Sequence, residues 1–220
     1  MNKTVFEADF IRPSNPISLI RRFVQDIEDC NLEHLHISPK LKDIIYIGWK
    51  RPREGWIKLN SDGACKDMGV IAGCGGLFRD SDDKWIKGYT KKIGACDALH
   101  AKMWGLYLSL DMTWMEHYSH IIVESVSKIL IDMISGNFKL NENIPILVHR
   151  IRKMLKMSWN VQLNHTWREG NMSADWLANL SISTYHFNLL VLESPPREVQ
   201  RILFYNLFGA CMPRNVRLAI

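Results

Sequence analysis

Apolar residues recur at helical spacing between residues 97 and 117, and this stretch is the clearest predicted helix of the chain. The apolar positions follow at intervals of three and four residues: Leu99, Met103, Leu106, Leu110 and Trp114. A neighbouring stripe consists mostly of small residues: Ala98, Lys102, Gly105 and Ser109. Small residues let a helix approach a sheet closely, so this pattern predicts a helix that packs on a sheet.

Strand-like patterns flank this helix on both sides. We predict strands over residues 56–64, 72–79, 84–93, 120–125 and 159–167. Short turns separate the first three, including the polar run 80–83, which predicts an antiparallel meander. The fourth contains Ile121-Ile122-Val123, a run typical of a buried strand, and the fifth alternates apolar and polar positions.

Three further helices complete the pattern. One covers about 127–134 and stops at Gly136, and another covers about 145–157 with Pro145 at its start. Asn171 or Ser173 caps a last helix that continues through Ala178. The resulting order, βββ-α-β-α-α-β-α, predicts an α/β fold whose five-stranded mixed sheet has helices on both faces.

The pattern also predicts three regions. Residues 1–52 form an N-terminal helix, over about 18–30, and a linker. The α/β domain occupies residues 53–186. Residues 187–220 form an extension that is expected to pack on the domain, because its apolar residues suggest a helix; a surface for a partner is the alternative.

Composition narrows the class of protein. Hydrophobic residues make up 47% of the chain and charged residues 23%, and the net charge is +5. These values are typical of a globular protein, and they permit nucleic acid as a partner without demanding it. No apolar run approaches the roughly 18 residues of a spanning helix, so no membrane contact is expected. The first nine residues carry two acids and no long apolar core, which argues against a secretory signal.

The five cysteines indicate the compartment. Their number is odd and no Cys-x-x-Cys pair occurs, which argues against a zinc site or a disulfide framework. We therefore predict free thiols and an intracellular protein of the nucleus or cytoplasm.

Two short motifs carry candidate chemistry. Asp62 ends the first strand in Asn60-Ser61-Asp62-Gly63-Ala64, and His165 is followed ten residues later by Asp175. In this order of elements they resemble type 1 ribonuclease H. More closely, the chain resembles the ribonuclease H-like domain of plant non-LTR retroelements and their domesticated relatives. Further stretches that look like that family are 49–60, 101–106, 175–179, 194–198 and 212–214.

The resemblance implies a reaction and a metal site. The family cuts the RNA strand of an RNA–DNA hybrid with two Mg²⁺ ions, which four carboxylates hold. The resemblance places Asp62 and Asp175 at two of these four positions. It places His165 where the family has a histidine that helps product leave or moves a proton.

The other two carboxylate positions are lost. The first-helix position is Lys102, and the position at the end of the fourth strand is Val126. An ammonium and an aliphatic group cannot replace two metal ligands, so we predict an impaired enzyme in which Mg²⁺ is not bound with full occupancy. Glu124, two residues before Val126, is the possible substitute ligand. Lys102 is expected to form a salt bridge with Asp62 or Asp175.

Loss of ligands does not remove a binding groove. By resemblance, the positions that touch the RNA strand are Gly63, Ala64, Gly73, Gly75, Gly76 and, at the lip of the site, Asn171. The glycines fit a β-bulge almost as well. Basic residues cluster over 84–92 and 150–156, where a solvated face and phosphate contact are equally good interpretations. We expect weak, salt-sensitive binding to RNA–DNA hybrid or double-stranded RNA.

Three functional hypotheses follow. The first is a retroelement-derived ribonuclease H-like domain that binds nucleic acid with little or no cleavage. The second is an active hybrid-specific endoribonuclease that uses Asp62, Asp175 and a displaced Glu124. The third is a protein-interaction module that binds no nucleic acid.

Overall fold

The computed structural model describes residue 24 and residues 42–137 and 145–217 of the chain. Apart from residue 24, the predicted N-terminal helix lies outside the described residues. Residues 46–214 form one compact unit, and a second unit comprises residues 1–45 and 215–220. In the described part no helix has both the length and the apolar character needed to cross a membrane.

Strands and helices alternate after an opening meander. The strands are β1 (Lys42–Ile47), β2 (Ile57–Lys66), β3 (Ile71–Arg79), β4 (Trp85–Gly94), β5 (His120–Ser125), β6 (Asn160–His165), β7 (Leu190–Leu192) and β8 (Met212–Arg217). The helices are α1 (Ala98–Met115), α2 (Lys128–Ser135), α3 (Ile146–Leu155), α4 (Met172–Ser183) and α5 (Arg197–Leu207). The predicted order from β2 to α4 is confirmed.

The main sheet is mixed. Its strand order is β6-β5-β2-β3-β4-β7, with β2, β3 and β4 in an antiparallel meander and β5 and β6 parallel to β2. The predicted count of five strands is wrong, because β7 pairs antiparallel with Gly88–Thr90 of β4 as a sixth strand. Three mostly exposed residues give too short a pattern to predict a strand. β1 and β8 form a separate two-stranded sheet.

Helices cover both faces of the sheet, as predicted. Neighbouring residues on a strand point to opposite faces. Phe78 packs in a large core cluster with residues of α1, α2 and α3, whereas Leu77 packs with Ala174 and Leu177 of α4 and Val199 of α5. The sheet therefore separates two hydrophobic layers.

Helix ends follow local capping chemistry. The Asp97 side chain accepts a hydrogen bond from the His100 backbone N–H (2.8 Å) and begins α1. Ser127 caps α2 in the same way, and Gly136 ends α2 at a φ of 81°, a conformation that favours glycine. These caps set where α1 and α2 start and thus which of their side chains reach the sheet.

The cysteines of the described part are free thiols. Burial raises the pKa of the Cys74 thiol to about 12, which makes it an inert core residue. Cys30 lies outside the described residues.

Candidate active site

A cleft of about 450 Å³ opens beside the second half of β2, where β5 and β6 end and α4 begins. Its walls include all five positions that the sequence singled out as catalytic or as lost ligands: Asp62, Lys102, Val126, His165 and Asp175. Carboxyl ends of parallel strands meet at one edge of a sheet, which explains why residues more than 100 positions apart meet here.

Asp62 is buried at the floor of the cleft, with 2% of its surface exposed. One carboxylate oxygen, Oδ1, accepts hydrogen bonds from the Gly63 N–H (2.8 Å) and from the Lys102 ammonium. The other, Oδ2, faces Nδ2 of Asn171 at 3.4 Å. Both oxygens of this carboxylate therefore have partners within the protein.

Lys102 supplies the counter-charge. Its ammonium forms an ion pair with Asp62 and also donates to the Gly63 carbonyl oxygen (3.2 Å). Close packing of α1 on β2 makes this reach possible: a side chain at Gly63 would overlap the backbone of Ala101 and Lys102. The salt bridge predicted from the sequence is thus present, and Asp62 is the partner.

Asp175 lies in the first turn of α4, where the helix dipole favours a negative charge. Its carboxylate accepts a hydrogen bond from the Arg168 guanidinium (3.2 Å), and about a third of its side chain is exposed. Val126 follows β5 and presents no oxygen to the cleft from its side chain.

His165 ends β6 beside an aromatic and arginine cluster. Its ring meets the Trp167 ring edge to face, with centroids 5.1 Å apart. The guanidinium of Arg214 lies 4.0 Å from the centroid of the Trp167 ring and donates from Nη1 to both carboxylate oxygens of Glu169 (2.9 Å each). Sequence reasoning missed Trp167, Arg168 and Arg214. The first two follow His165 closely in the sequence, but only the fold of the compact unit brings Arg214 to the cleft.

Glu124 does not line the cleft, and both of its carboxylate oxygens have partners. Its Oε1 accepts a hydrogen bond from the Lys58 ammonium (2.6 Å), and its Oε2 accepts one from Asn60 Nδ2 (3.0 Å). The parallel register places Asn60 directly beside Glu124. Both carboxylate oxygens of the possible substitute ligand are therefore occupied by β2 side chains.

Asn60 is the centre of this buried polar network. Its Nδ2 donates to Glu124 and to Asn171 Oδ1 (3.1 Å), and its Oδ1 faces Trp49 Nε1 (2.9 Å) and Arg79 Nη2 (3.4 Å). All four hydrogen-bonding positions of the amide are used. Through Asn171, the network extends to the Asp62 carboxylate.

Arg79 carries a buried positive charge into the network. Its guanidinium stacks 3.5 Å from the centroid of the Trp49 ring and pairs with Asp83 (2.9 Å). Burial lowers the pKa of Arg79 to about 10 in spite of the Asp83 carboxylate, and burial raises the pKa of Asp83. Burial thus disfavours the charged form of each group, and each is the other's counter-ion.

The predicted nucleic-acid-binding glycines lie at two places. Gly63 and Ala64 line the cleft. Gly73, Gly75 and Gly76 are buried on β3, and a Cβ at Gly75 would lie 2.6 Å from the Leu177 carbonyl carbon in the backbone of α4. The element that approaches the backbone at Gly75 is thus a helix, and nucleic-acid contact by these glycines stays a prediction. Asn171 is buried beneath the cleft rather than exposed at its lip.

Comparison with known proteins agrees with this architecture. The reverse transcriptase-like family matches residues 60–181, more than half of the chain, and this segment runs from the start of the network to α4. The chain belongs to the reverse transcriptase-like family. An Arabidopsis thaliana member of the curated proteins, named "Putative ribonuclease H protein", is 32% identical over 176 residues. The match covers 78% of this chain, but the chain spans only 28% of the length of that relative.

Solved structures place this family member among ribonuclease H folds. The RNase H1 of the halophilic archaeon Halobacterium salinarum is 21% identical, with a TM-score of 0.54, over 58% of this chain and 98% of that protein. LC11-RNase H1 in complex with an RNA/DNA hybrid is 24% identical, with a TM-score of 0.51, over 58% of this chain and 96% of that protein. These matches show that the chain has a ribonuclease H fold.

The donor set of this family member does not fit two Mg²⁺ ions. Mg²⁺ requires near-octahedral oxygen ligands, and a two-metal site must present several carboxylates with free oxygens. Here Asp62 is bound by an ammonium, Asp175 is bound by a guanidinium and Val126 has no donor. Across residues 42–137 and 145–217, no three His, Cys, Asp or Glu side chains are grouped closely enough to hold a metal ion.

Several predicted basic residues bind within the protein. Lys87 pairs with Glu116 (2.5 Å), Lys91 and Lys92 donate to carbonyl oxygens of Phe187 and Thr184, and Arg152 donates to the last carbonyls of α2. The basic side chains at the cleft, Lys102, Arg168 and Arg214, are likewise paired with carboxylates of the protein.

Proposed function

We propose that this ribonuclease H-like domain binds RNA–DNA hybrid or double-stranded RNA weakly and does not cut it. The observation that carries the proposal is the Lys102 ammonium seated on the Asp62 carboxylate. In the chemistry that the resemblance implies, that carboxylate would face a divalent cation. In this chain the Lys102 ammonium takes the place of that cation beside Oδ1 of Asp62.

Electrostatics supports the loss of cleavage. At an effective dielectric constant of about 20, two like unit charges about 4 Å apart repel by about 4 kcal/mol, and a divalent ion doubles this value. Placing Mg²⁺ beside Asp62 would also break the ion pair with Lys102. With Val126 in place of a carboxylate, no new ligand offsets that cost.

The cleft supports nucleic-acid binding. It presents Lys102, Arg168 and Arg214 beside the half-exposed Trp167, a combination suited to phosphates and bases. The structurally similar LC11-RNase H1 binds an RNA/DNA hybrid. We carry this ligand class over to the present chain as part of the proposal. The family match and the Arabidopsis relative support a ribonuclease H-like domain of plant type. That it is a retroelement-derived pseudoenzyme is part of the proposal.

Cleavage and binding of one labelled RNA–DNA hybrid test the proposal. We expect no Mg²⁺-dependent cleavage by the wild-type chain and a dissociation constant that rises steeply with salt. Lys102→Glu combined with Val126→Asp restores the missing carboxylates and is expected to restore measurable cleavage. Each single variant serves as a control and is expected to stay inactive, because it leaves the ligand set incomplete.

Two outcomes contradict the proposal. Cleavage by the wild-type chain that Asp62→Asn abolishes would show an active endoribonuclease. An absence of hybrid binding even at low salt would instead favour a protein-interaction module.

A further inference from the structure

Each carboxylate at the cleft is paired with a basic side chain of the same chain. Asp62 pairs with Lys102, and Asp175 pairs with Arg168. Glu169, behind Arg214, accepts two hydrogen bonds from that guanidinium. The negative charge of the cleft is therefore neutralised without any added cation.

The basic side chains keep donors for a further anion. Lys102 has three N–H groups and uses two, one for Asp62 and one for the Gly63 carbonyl. The Arg168 side chain is 74% exposed, and within the described residues it donates from one of its five N–H groups. Arg214 donates to Glu169 through Nη1, and among residues 42–137 and 145–217 its Nε and Nη2 have no acceptor. Unused guanidinium donors fit phosphate oxygens in pairs.

The three basic side chains share one cleft. Lys102, Arg168 and Arg214 all line the same cavity, in which Asp62 and Asp175 are the carboxylates. Stacking on Trp167 and the bidentate bond to Glu169 fix the guanidinium of Arg214. A fixed guanidinium loses less conformational entropy when it binds.

We propose that the cleft is a metal-independent phosphodiester site, in which Lys102, Arg168 and Arg214 bind the backbone phosphate of a nucleic-acid strand. This inference rests on the proposed nucleic-acid binding. It adds that the bound group is a backbone phosphate and that basic side chains of the protein, rather than a metal ion, neutralise its charge. Unpaired carboxylates would repel a phosphate until a divalent cation bridged the two. In this cleft the ammonium and the guanidinium groups remove that requirement.

The first test compares hybrid binding by the wild-type chain in Mg²⁺ and in EDTA at matched ionic strength. We expect dissociation constants that agree within about twofold, because no metal takes part. Binding that is tenfold or more weaker in EDTA would overturn the metal-independent site and leave the proposed nucleic-acid binding intact. An absence of binding in both buffers would overturn both.

Charge reversal at the cleft provides the second test. Lys102→Glu places a second carboxylate beside Asp62. We expect this variant to bind the hybrid at least about tenfold more weakly than the wild-type chain in EDTA, and we expect Mg²⁺ to restore much of the binding. Lys153→Glu, on an exposed position of α3, is the matched control. It changes the net charge equally, and its effect is expected to be the same in both buffers. Equal Mg²⁺ dependence of the two variants would overturn the proposal.

A third variant keeps the inference testable even where Lys102→Glu does not fold. Arg168→Gln removes one exposed guanidinium from the cleft. We expect the slope of log K against log salt to fall by about 0.7 to 0.9, the value for one phosphate contact. An unchanged slope would show that Arg168 does not contact phosphate.

Discussion

The ion pair between Lys58 and Glu124 is one of the buried charged pairs next to the cleft. Lys58 and Glu124 form a pair in which 4% and 14% of the side chains are exposed, so neither charge has much water around it. Removing one member of a buried pair leaves the other uncompensated, which costs far more than loss of a surface pair.

Glu124→Gln tests whether Glu124 is structural. We expect the free energy of unfolding to fall by on the order of 3 kcal/mol, because the Lys58 ammonium keeps its burial and loses its counter-ion. Glu116→Gln, whose partner Lys87 lies in a more exposed pair, should change stability by less than about 0.5 kcal/mol. Chemical denaturation of the three proteins gives these values.

The same series addresses the metal hypothesis for Glu124. If Mg²⁺ raised the stability of the wild-type chain and Glu124→Gln removed that rise, Glu124 would be a metal ligand and the structural role would be wrong.

At the scale of elements, the start of α1 depends on one carboxylate. Hydrogen bonds from His100, first from its backbone N–H and then from its side chain, hold the pKa of Asp97 below its usual value of 3.8. A lowered pKa means that the folded state favours the charged carboxylate. The stabilisation is therefore complete above the unfolded pKa and is lost as pH falls through the folded one.

Asp97→Ala should lower the free energy of unfolding by about 1 kcal/mol at pH 7, the usual effect of a lost N-cap. The difference from wild type should shrink as the pH falls below about 4, because the carboxyl becomes protonated. Asp97→Asn keeps a capping oxygen and is the control, with little loss at pH 7. Urea denaturation across this pH range measures the effect, and a pH-independent difference for Asp97→Ala would contradict it.

Helices and strands could be predicted from the sequence more fully than the side-chain contacts between them. The apolar spacing of α1 and the run Ile121-Ile122-Val123 of β5 are set by local sequence, and both elements are confirmed. The buried network was missed because Lys58 and Asn60 on β2 have the pattern of a solvent-facing strand. Only the register that places Asn60 beside Glu124, and Lys58 opposite Arg79, shows that they are covered.

Part of the site was predictable for the same reason. The pair between Lys102 and Asp62 could be predicted because both residues fall in motifs that resemble one family. Arg214 also lies in a stretch that resembles the family, but the resemblance gives it no role, so no local signal connects it with Trp167.

For the whole molecule, residues ahead of β2 contribute to the fold of the domain. Trp49 is 93% buried, with 7% of its surface exposed, and its indole N–H and ring face contact Asn60 and Arg79. The predicted domain start at residue 53 leaves this side chain out.

We therefore expect a fragment of residues 53–214 to be less stable than a fragment of residues 46–214 by roughly 3–5 kcal/mol, the usual cost of losing a large core side chain. Thermal or urea unfolding of the two fragments measures the difference. Trp49→Phe in the longer fragment separates the causes, because it keeps an aromatic ring and loses the hydrogen bond to Asn60. Equal stability of the two fragments would show that Trp49 is dispensable.

The ion pair between Lys102 and Asp62 also bears on the order in which such a site can be regained over evolutionary time. If Val126 changes to aspartate first, the new carboxylate arises in a cleft that still contains an ammonium. If Lys102 changes to glutamate first, two carboxylates stand side by side with no cation of the chain between them. The first intermediate keeps a counter-ion of its own, whereas the second depends on ions from solution. If the proposed function holds, the two orders of substitution are therefore unequal, and selection for a folded protein favours the order in which position 126 changes first.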